Sequence, residues 1–212
     1  MRSRYSEGNT DRMALSAEVM RQARELFSSR GFSSVTMDEV CSAVRISKKT
    51  LYAMYPSKEA LFDSALSRTL SEIDAESEAI MKQRKLDCFD RVKAILSLVR
   101  RSYALLSRPL LEDIRRYAPQ AWKKVHECRE KELRRLESLV ADGVREGLFR
   151  PDMNVALGSL LYTELVRAVL SPDFLIKRNY RADEVSAAVF NLFLRAMLTD
   201  KGRAAAHARG LV

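Results

Sequence analysis

Residues 31–62 read GFSSVTMDEVCSAVRISKKTLYAMYPSKEALF, and this stretch decides how the N-terminal part of the chain folds. The run Thr36-Met-Asp-Glu39 has the spacing of a capping box, in which a threonine hydroxyl and a glutamate side chain bond to the first free amides of a helix. Ser47 has the right chemistry to cap a second short helix. A tight turn at Arg45-Ile46 would join the two. Two short capped helices with a tight turn between them predict a helix-turn-helix.

The second short helix carries the charge that DNA binding requires. Between residues 45 and 58 the sequence has four basic side chains and no acidic one. The second helix of such a motif enters the major groove, where the base edges present distinguishable donors and acceptors. Basic side chains beside it would meet phosphates. The stretch therefore indicates a DNA-binding unit.

Most of the remaining chain shows apolar residues at spacings of three and four, which predicts amphipathic helices and no convincing strand. Gly31 and Gly147 suit the left-handed position that ends a helix. The sequence thus predicts an all-α fold, with loose ends over residues 1–12, which hold Arg2, Arg4 and Arg12, and over 201–212. The predicted helices outside the motif cover about residues 13–30, 57–73, 89–106, 109–117, 120–146, 154–170 and 183–198.

Composition sets aside several classes of protein. The chain has 212 residues, 37 Lys and Arg, 28 Asp and Glu, and a net charge of +9. Neither a secretory signal nor an apolar run long enough to span a membrane is evident, and three widely spaced cysteines suggest no disulfide framework or zinc site. These features favour the cytoplasm, and they leave redox sensing by Cys88 or Cys128 open. Residues 91–150 carry a balance of +7, from 15 basic and 8 acidic side chains, which we interpret as solvated helix faces because opposite charges alternate there.

Three segments within the opening stretch resemble the TetR/AcrR-type transcriptional regulators: Ile46-Ser47-Lys48, Thr50-Leu51-Tyr52 and Ser57-Lys58-Glu59-Ala60-Leu61. The resemblance implies a DNA-binding domain over residues 1–56, a helical effector-binding and dimerisation domain over 57–200, and a disordered tail over 201–212. Two positions depart from the family pattern. Arg45 stands where glycine is usual, and Met54 stands where histidine is frequent, which puts a DNA contact at position 54 in doubt.

The same resemblance suggests three groups of functional residues. Solvated surface or ordinary core packing is the alternative interpretation of each group. The candidate DNA contacts are Thr36, Ser47, Lys48, Lys49, Thr50, Tyr52 and Lys58. The candidate effector-pocket residues are Met81, Tyr103, Arg116, Tyr117, Trp122 and His126. The candidate dimer-interface residues are Leu157, Leu160, Leu161, Val189, Phe190, Phe193 and Met197.

We therefore expect a ligand-responsive transcriptional regulator. Among regulators we expect a repressor, which a small-molecule effector releases from a pseudo-palindromic operator. Its expected partners are double-stranded DNA, the effector and a second copy of the chain, with no catalytic residue, metal or cofactor. Two alternatives stay open from sequence. One is an architectural protein that binds DNA without sequence preference, and the other is a helical enzyme.

Overall fold

The computed structural model describes residues 3–83, 86–105, 108–169 and 182–210, together with Phe174, Arg178 and Tyr180. Within these residues the chain forms ten helices and no strand, which confirms the all-α prediction; an isolated antiparallel bridge joins Phe149 and Leu198. The helices are α1 (Ser3–Arg30), α2 (Met37–Val44), α3 (Lys48–Met54), α4 (Lys58–Lys82), α5 (Cys88–Leu105), α6 (Arg108–Tyr117), α7 (Pro119–Arg145), α8 (Val155–Val169), α9 (Ala182–Met197) and α10 (Asp200–His207). In the part of the chain described, no helix is long and apolar enough to cross a membrane.

The chain divides into two compact units. The first comprises Met1–Glu72 and Ala104–His126, and the second comprises Ile73–Tyr103 and Glu127–Val212. This division differs from the boundary predicted after residue 56. The beginning of α4 and all of α6 group with the N-terminal helices, because α6 packs against α1 and because Leu61 and Phe62 of α4 are buried.

Aromatic and branched side chains form the core of the first unit. The ring of Phe27 lies 5.1 Å from that of Phe62, edge to face, and the ring of Phe32 lies 4.8 Å from that of Phe62. Val40 of α2 and Leu51 of α3 are fully buried. Each such side chain contributes about 1.5–3 kcal/mol through removal of apolar surface from water. Helix α2 packs against both α1 and α3, which joins the motif to this core.

The second unit has its own apolar core. Its largest fully buried side chains include Ile95 of α5, Leu139 of α7, Leu194 of α9, and Phe149 in the turn after α7. The ring of Phe149 meets that of Phe89 edge to face, with the ring centres 5.7 Å apart. Side chains of α5, α7, α8 and α9 therefore share one core.

Most predicted helix ends are confirmed. Gly31 and Gly147 have φ angles of 83° and 71°, so both lie in the left-handed region. The amide of Ala60 donates to Ser57 Oγ at 3.1 Å, and the amide of Leu157 donates to Asn154 Oδ1 at 3.0 Å, so these two residues cap helices at the predicted starts, 57 and 154.

Both ends of the chain differ from the prediction. Helix α1 begins at Ser3 rather than near residue 13, because a helix that already has an apolar anchor can extend through polar residues. The three arginines of residues 1–12 have side chains outside the described part of the chain. Residues 200–207 form α10 instead of a disordered tail.

Helix α10 forms because its small residues allow close packing. Thr199 Oγ1 caps it by accepting from the amide of Gly202 at 3.0 Å. A Cβ atom on Gly202 would lie 2.1 Å from the carbonyl oxygen of Leu148, so only glycine fits there. Ala206 is fully buried.

Candidate nucleic-acid interface

The capping box of α2 is present as predicted. Thr36 Oγ1 accepts from the amide of Glu39 at 3.3 Å, and the Glu39 carboxylate accepts from the amide of Thr36 at 2.8 Å. Arg30 Nη1 also donates to this carboxylate at 2.7 Å. The hydrogen bond from Arg30, followed by the one from the Thr36 amide, lowers the pKa of Glu39 to about 2. The exposed N-terminus of α2 is therefore held in a fixed geometry.

The turn between α2 and α3 keeps its shape although Arg45 replaces glycine. Arg45 has φ 60° and ψ 45°, and it is the only non-glycine residue with positive φ among the described residues. Its amide donates to the carbonyl of Ser42 at 3.3 Å, and the amide of Ile46 donates to the carbonyl of Cys41 at 3.0 Å. This pair of bonds is the Schellman motif that ends a helix. The departure from the family pattern thus leaves the turn intact.

Helix α3 is anchored on one side and exposed on the other. Ser47 Oγ accepts from the amide of Thr50 at 3.1 Å and shares a hydrogen bond of 2.8 Å with the Thr50 hydroxyl. Leu51 is fully buried and fixes the helix against the core. Lys48, Lys49 and Tyr52 are exposed on the other side, the Tyr52 ring at 45%. The structure therefore places five of the predicted DNA contacts, Ser47, Lys48, Lys49, Thr50 and Tyr52, on one capped helix.

The lysines of the motif differ in their surroundings. Lys48 Nζ lies 2.8 Å from Asp38 Oδ1, and the hydrogen bond to Asp38 raises the pKa of Lys48. Both side chains are largely exposed, so the pair contributes little and a phosphate can replace the carboxylate. Lys58 is half-buried: its ammonium donates to the carbonyl of Ser33 at 3.2 Å and lies 4.5 Å from the Phe32 ring centre. To reach a phosphate, Lys58 would have to exchange these contacts. Met54 is the half-buried last residue of α3.

The six predicted effector-pocket residues do not come together within one unit. Met81 packs against the core of the second unit. In the first unit, Arg116 and Tyr117 are exposed on α6, with the guanidinium 5.2 Å from the ring centre. Trp122 and His126 stack edge to face on α7 at 4.7 Å. The side chain of Tyr103 lies outside the described residues.

A pocket that the sequence did not indicate lies in the second unit. It is a shallow, open pocket with a cavity volume of only about 20 Å³. Its walls are mainly apolar, which leaves no polar pattern that could have revealed it. The lining residues are Leu96, Leu136, Val140, Phe149, Arg150, Met153, Val155, Gly158, Ser159, Tyr162, Phe193 and Met197.

The residues predicted for a dimer interface differ in exposure between α8 and α9. On α8, Leu157, Leu160 and Leu161 are 50–53% exposed. On α9, however, Val189 is buried, and Phe190, Phe193 and Met197 are half-buried against the core of the second unit. The exposed leucine of α9 is Leu192, at 62%, which the sequence analysis missed. Apolar residues occur on more than one side of this helix, so periodicity alone does not separate the core face from the surface face.

Two cysteines left open as redox sensors are shielded. Burial raises the pKa of both Cys88 and Cys128 to about 11. A thiolate, rather than a thiol, is the species that reacts with oxidants, so these surroundings disfavour sensing. Among the described residues, no group of three or more His, Cys, Asp or Glu side chains could hold a metal ion.

The family and the two relatives that this chain resembles are all described as regulatory proteins. The family described as "Bacterial regulatory proteins, tetR family" matches residues 19–65, which span the C-terminal part of α1, all of α2 and α3, and the beginning of α4. The HTH-type transcriptional regulator UidR of Escherichia coli (strain K12) is 28% identical over 169 residues, 76% of this chain and 83% of that protein. YvaF of Bacillus subtilis (strain 168), also an HTH-type transcriptional regulator by name, is 23% identical over 86% of this chain and 95% of its own length.

Two solved structures show the same fold. The TetR family transcriptional regulator PfmR from Thermus thermophilus aligns with a TM-score of 0.64 and 22% identity, covering 84% of this chain and 97% of that one. A putative transcriptional regulator from Saccharomonospora viridis, solved in complex with choline, aligns with a TM-score of 0.74 and 15% identity, covering 86% and 97%. The likeness extends over both units of the chain.

Proposed function

Because this chain is a TetR-type transcriptional regulator, we propose that it acts as a homodimeric repressor that an effector releases from a pseudo-palindromic operator. One helix-turn-helix per subunit reads half of the operator, and the two-fold axis of the dimer sets the distance between the half-sites. Such a protein would act in the cytoplasm, where it meets the chromosome.

The observation that carries the proposal is the geometry of α3. Leu51 anchors the helix in the core and Ser47 caps it, while Lys48, Lys49 and Tyr52 remain exposed. A short, rigid helix with two basic side chains in its first turn can place them against guanine edges or phosphates. Thr36 is exposed at the N-terminus of α2, where the helix dipole favours an anionic phosphate. Lys58 would take part only if its contacts with Ser33 and Phe32 are exchanged.

Release by an effector is proposed as a population shift. A small molecule can bind more tightly to a conformation whose recognition helices are wrongly spaced for DNA. It then weakens DNA binding, and DNA weakens the binding of the small molecule by the same coupling free energy. The pocket of the second unit is our candidate for the effector site. Its apolar walls suit a small and largely apolar molecule, and binding would have to widen the pocket. The choline bound to the Saccharomonospora viridis regulator shows that one protein of this fold holds a small organic molecule.

The proposal is tested by selecting 30-base-pair duplexes from a random pool with the full-length chain. We expect a two-fold consensus that is bound roughly 10³-fold or more tightly than a scrambled duplex. An architectural protein would bind the selected and the scrambled duplex equally. The double variant Lys48→Ala/Tyr52→Ala should lose the footprint while its helicity and dimerisation stay unchanged.

The matched control removes the same side-chain types elsewhere. Lys93 and Tyr117 are both exposed and lie on α5 and α6. The double variant Lys93→Ala/Tyr117→Ala should keep the footprint. If the α3 variant keeps the footprint as well, the assignment of α3 as the recognition helix is wrong.

A further inference from the structure

The loop between α1 and α2 is tied to a helix far away in sequence. Ser33 donates two hydrogen bonds to a single carboxylate oxygen, Oδ2 of Asp113, one from its amide at 2.6 Å and one from its hydroxyl at 2.8 Å. Asp113 lies on α6, eighty residues further along the chain, and both residues belong to the first unit. Hydrogen bonds to an ionised acceptor are about twice as strong as those between neutral groups.

The same loop carries contacts from two other helix ends. Lys58, the first residue of α4, donates to the Ser33 carbonyl at 3.2 Å. Arg30, the last residue of α1, donates to the Ser34 carbonyl at 3.2 Å and to Glu39 of the capping box at 2.7 Å. The loop is thus held by α1, α4 and α6 together.

One of the residues proposed to meet DNA, Thr36, depends on this loop. Thr36 follows it directly and is fixed by Glu39, which Arg30 holds. If the loop moved, Thr36 and the start of α2 would lose their fixed position.

We propose that Asp113 is a positioning residue for DNA binding. It fixes the α1–α2 loop before DNA arrives, so that no conformational entropy of the loop is lost on binding. Asp113 lies outside residues 19–65, the part of the chain that the regulator family matches, so the DNA affinity of this chain depends on a residue outside its DNA-binding sequence. The inference rests on the proposed function, because it needs a duplex that the chain binds.

The experiment measures the dissociation constant for the selected duplex by fluorescence anisotropy, at several salt concentrations, with the full-length chain. Asp113→Ala should weaken binding by about five- to tenfold. Asp113→Asn keeps an oxygen acceptor and should recover most of this loss. The slope of log affinity against log salt should stay at its wild-type value, because no phosphate contact through a cation is removed.

Two further variants separate positioning from a simple change of charge. Glu25→Ala removes one acidic charge from an exposed site on α1 in the same unit, and it should leave the affinity unchanged or slightly raised. Ser33→Ala removes one of the two donors and should weaken binding less than Asp113→Ala. The double variant Ser33→Ala/Asp113→Ala should bind as Asp113→Ala does, since both substitutions break the same contact.

The outcomes are distinct. If the wild-type chain selects no two-fold duplex, the proposed function fails. If the wild type binds its duplex specifically but Asp113→Ala binds it equally or more tightly, only the role of Asp113 is refuted. Additive losses in the double variant would also refute it. If circular dichroism shows that Asp113→Ala is unfolded, the variants Asp113→Asn and Ser33→Ala still test the proposal. Wild-type affinity in Ser33→Ala would then overturn it.

Discussion

Arg45 maintains the turn of the helix-turn-helix at a conformational cost that glycine would not incur. Its φ of 60° brings Cβ close to the backbone, which costs roughly 1–2 kcal/mol for a non-glycine residue. Arg45→Gly relieves this strain but adds freedom to the unfolded chain. We expect a net increase of about 0.5 kcal/mol in the free energy of unfolding, measured by urea titration. Arg45→Ala keeps the strain and removes the charge, so it should not stabilise; an equal gain in both variants would locate the effect in the charge.

Glu39 predicts a pH dependence of stability. Its pKa is about 2 in the folded chain and 4.5 in the unfolded chain, so the unfolded state binds more protons between these values. The stabilisation is therefore fully present above pH 4.5 and is lost as pH falls towards 2. The difference in free energy of unfolding between wild type and Glu39→Gln should be constant near pH 6 and shrink below 4.5.

Arg30 provides the control for this prediction. It is the largest cause of the low pKa of Glu39. In the Arg30→Met background, the difference between Glu and Gln at position 39 should be smaller at pH 6 and should change less with pH. A difference that is the same at pH 6 and pH 3 in the wild-type background would contradict the assignment.

The helix caps show what a sequence predicts well at this scale. The capping box at Thr36–Glu39, the Ser47 cap and the left-handed Gly31 all depend on residues within four positions of each other. The groups that form each cap lie within about one helical turn, so residue type and spacing are sufficient to predict it. The contact of Ser33 with Asp113 spans eighty positions, and no local pattern marks it.

At the scale of the elements, helices α4 and α7 meet in the second unit through a buried carboxylate. Glu132 accepts from Ser77 Oγ at 2.5 Å and from Arg135 Nη1 at 2.6 Å. Burial raises the pKa of Glu132, and these two donors oppose that shift. Ser77 is itself fully buried, so no water can take its place.

Ser77→Ala should therefore lower the free energy of unfolding by about 1–3 kcal/mol, because it leaves a buried acceptor with one donor fewer. Ser102→Ala is the matched control: its half-buried hydroxyl donates to the carbonyl of Leu98, which lies within α5. We expect the control to change stability by less than about 0.5 kcal/mol. Equal effects in a urea titration would show that the contact with Glu132 contributes nothing.

Helix α10 depends on one glycine. At Gly202 a Cβ would lie 2.1 Å from the backbone oxygen of Leu148, whereas at Gly158 the nearest atom is the Met153 methyl at 3.9 Å. Gly202→Ala should displace α10 and expose its amides to hydrogen exchange. Gly158→Ala should be neutral or stabilise by up to about 1 kcal/mol, because alanine favours a helix. Unchanged protection of α10 in Gly202→Ala would show that its docking tolerates the methyl group.

The ends of the helices were easier to predict than the side of each helix that is buried. The pattern of apolar residues gave α7 and α9 to within one residue at each end, since helix periodicity and breakers are local properties. It did not show that Phe193 packs edge to face on Tyr162 at 5.1 Å, or that Leu192 faces outward. Which apolar residue is buried depends on the helices that pack beside it, and the sequence of one helix does not contain that information.

At the scale of the whole molecule, the net charge of +9 says little about where DNA binds. Most of the excess lies over residues 91–150, where the structure pairs cations with acids: Lys124 with Asp63, Lys131 with Asp74, and Arg135 with Asp74 and Glu132. The segment of 45–58 carries less charge, but two of its four cations, Lys48 and Lys49, lie exposed on the capped helix α3. Placement, rather than the total, makes a charge useful for recognition.

We predict the oligomeric state from the apolar surface that the second unit leaves exposed. Leu157, Leu160 and Leu161 of α8 and Leu192 of α9 are each at least half exposed, and the two helices pack against each other. Several exposed leucines on two helices that pack together are typical of a surface that a partner covers. We therefore predict that Leu160→Glu/Leu192→Glu is monomeric in sedimentation velocity at micromolar concentration, with helicity unchanged. Because a monomer engages one half-site only, its affinity for the operator should fall by about a hundredfold.

The control for this prediction places the same charge on another exposed apolar side chain. Met13 of α1 is 67% exposed, and Met13→Glu should remain dimeric. Phe193 is a poor choice for the test, because its ring packs on Tyr162 and a charge there would damage the core of the second unit itself. If the Leu160→Glu/Leu192→Glu chain sediments as a dimer, the interface lies on a different surface. A monomer that still binds the selected duplex at wild-type affinity would refute the two-fold reading of the operator.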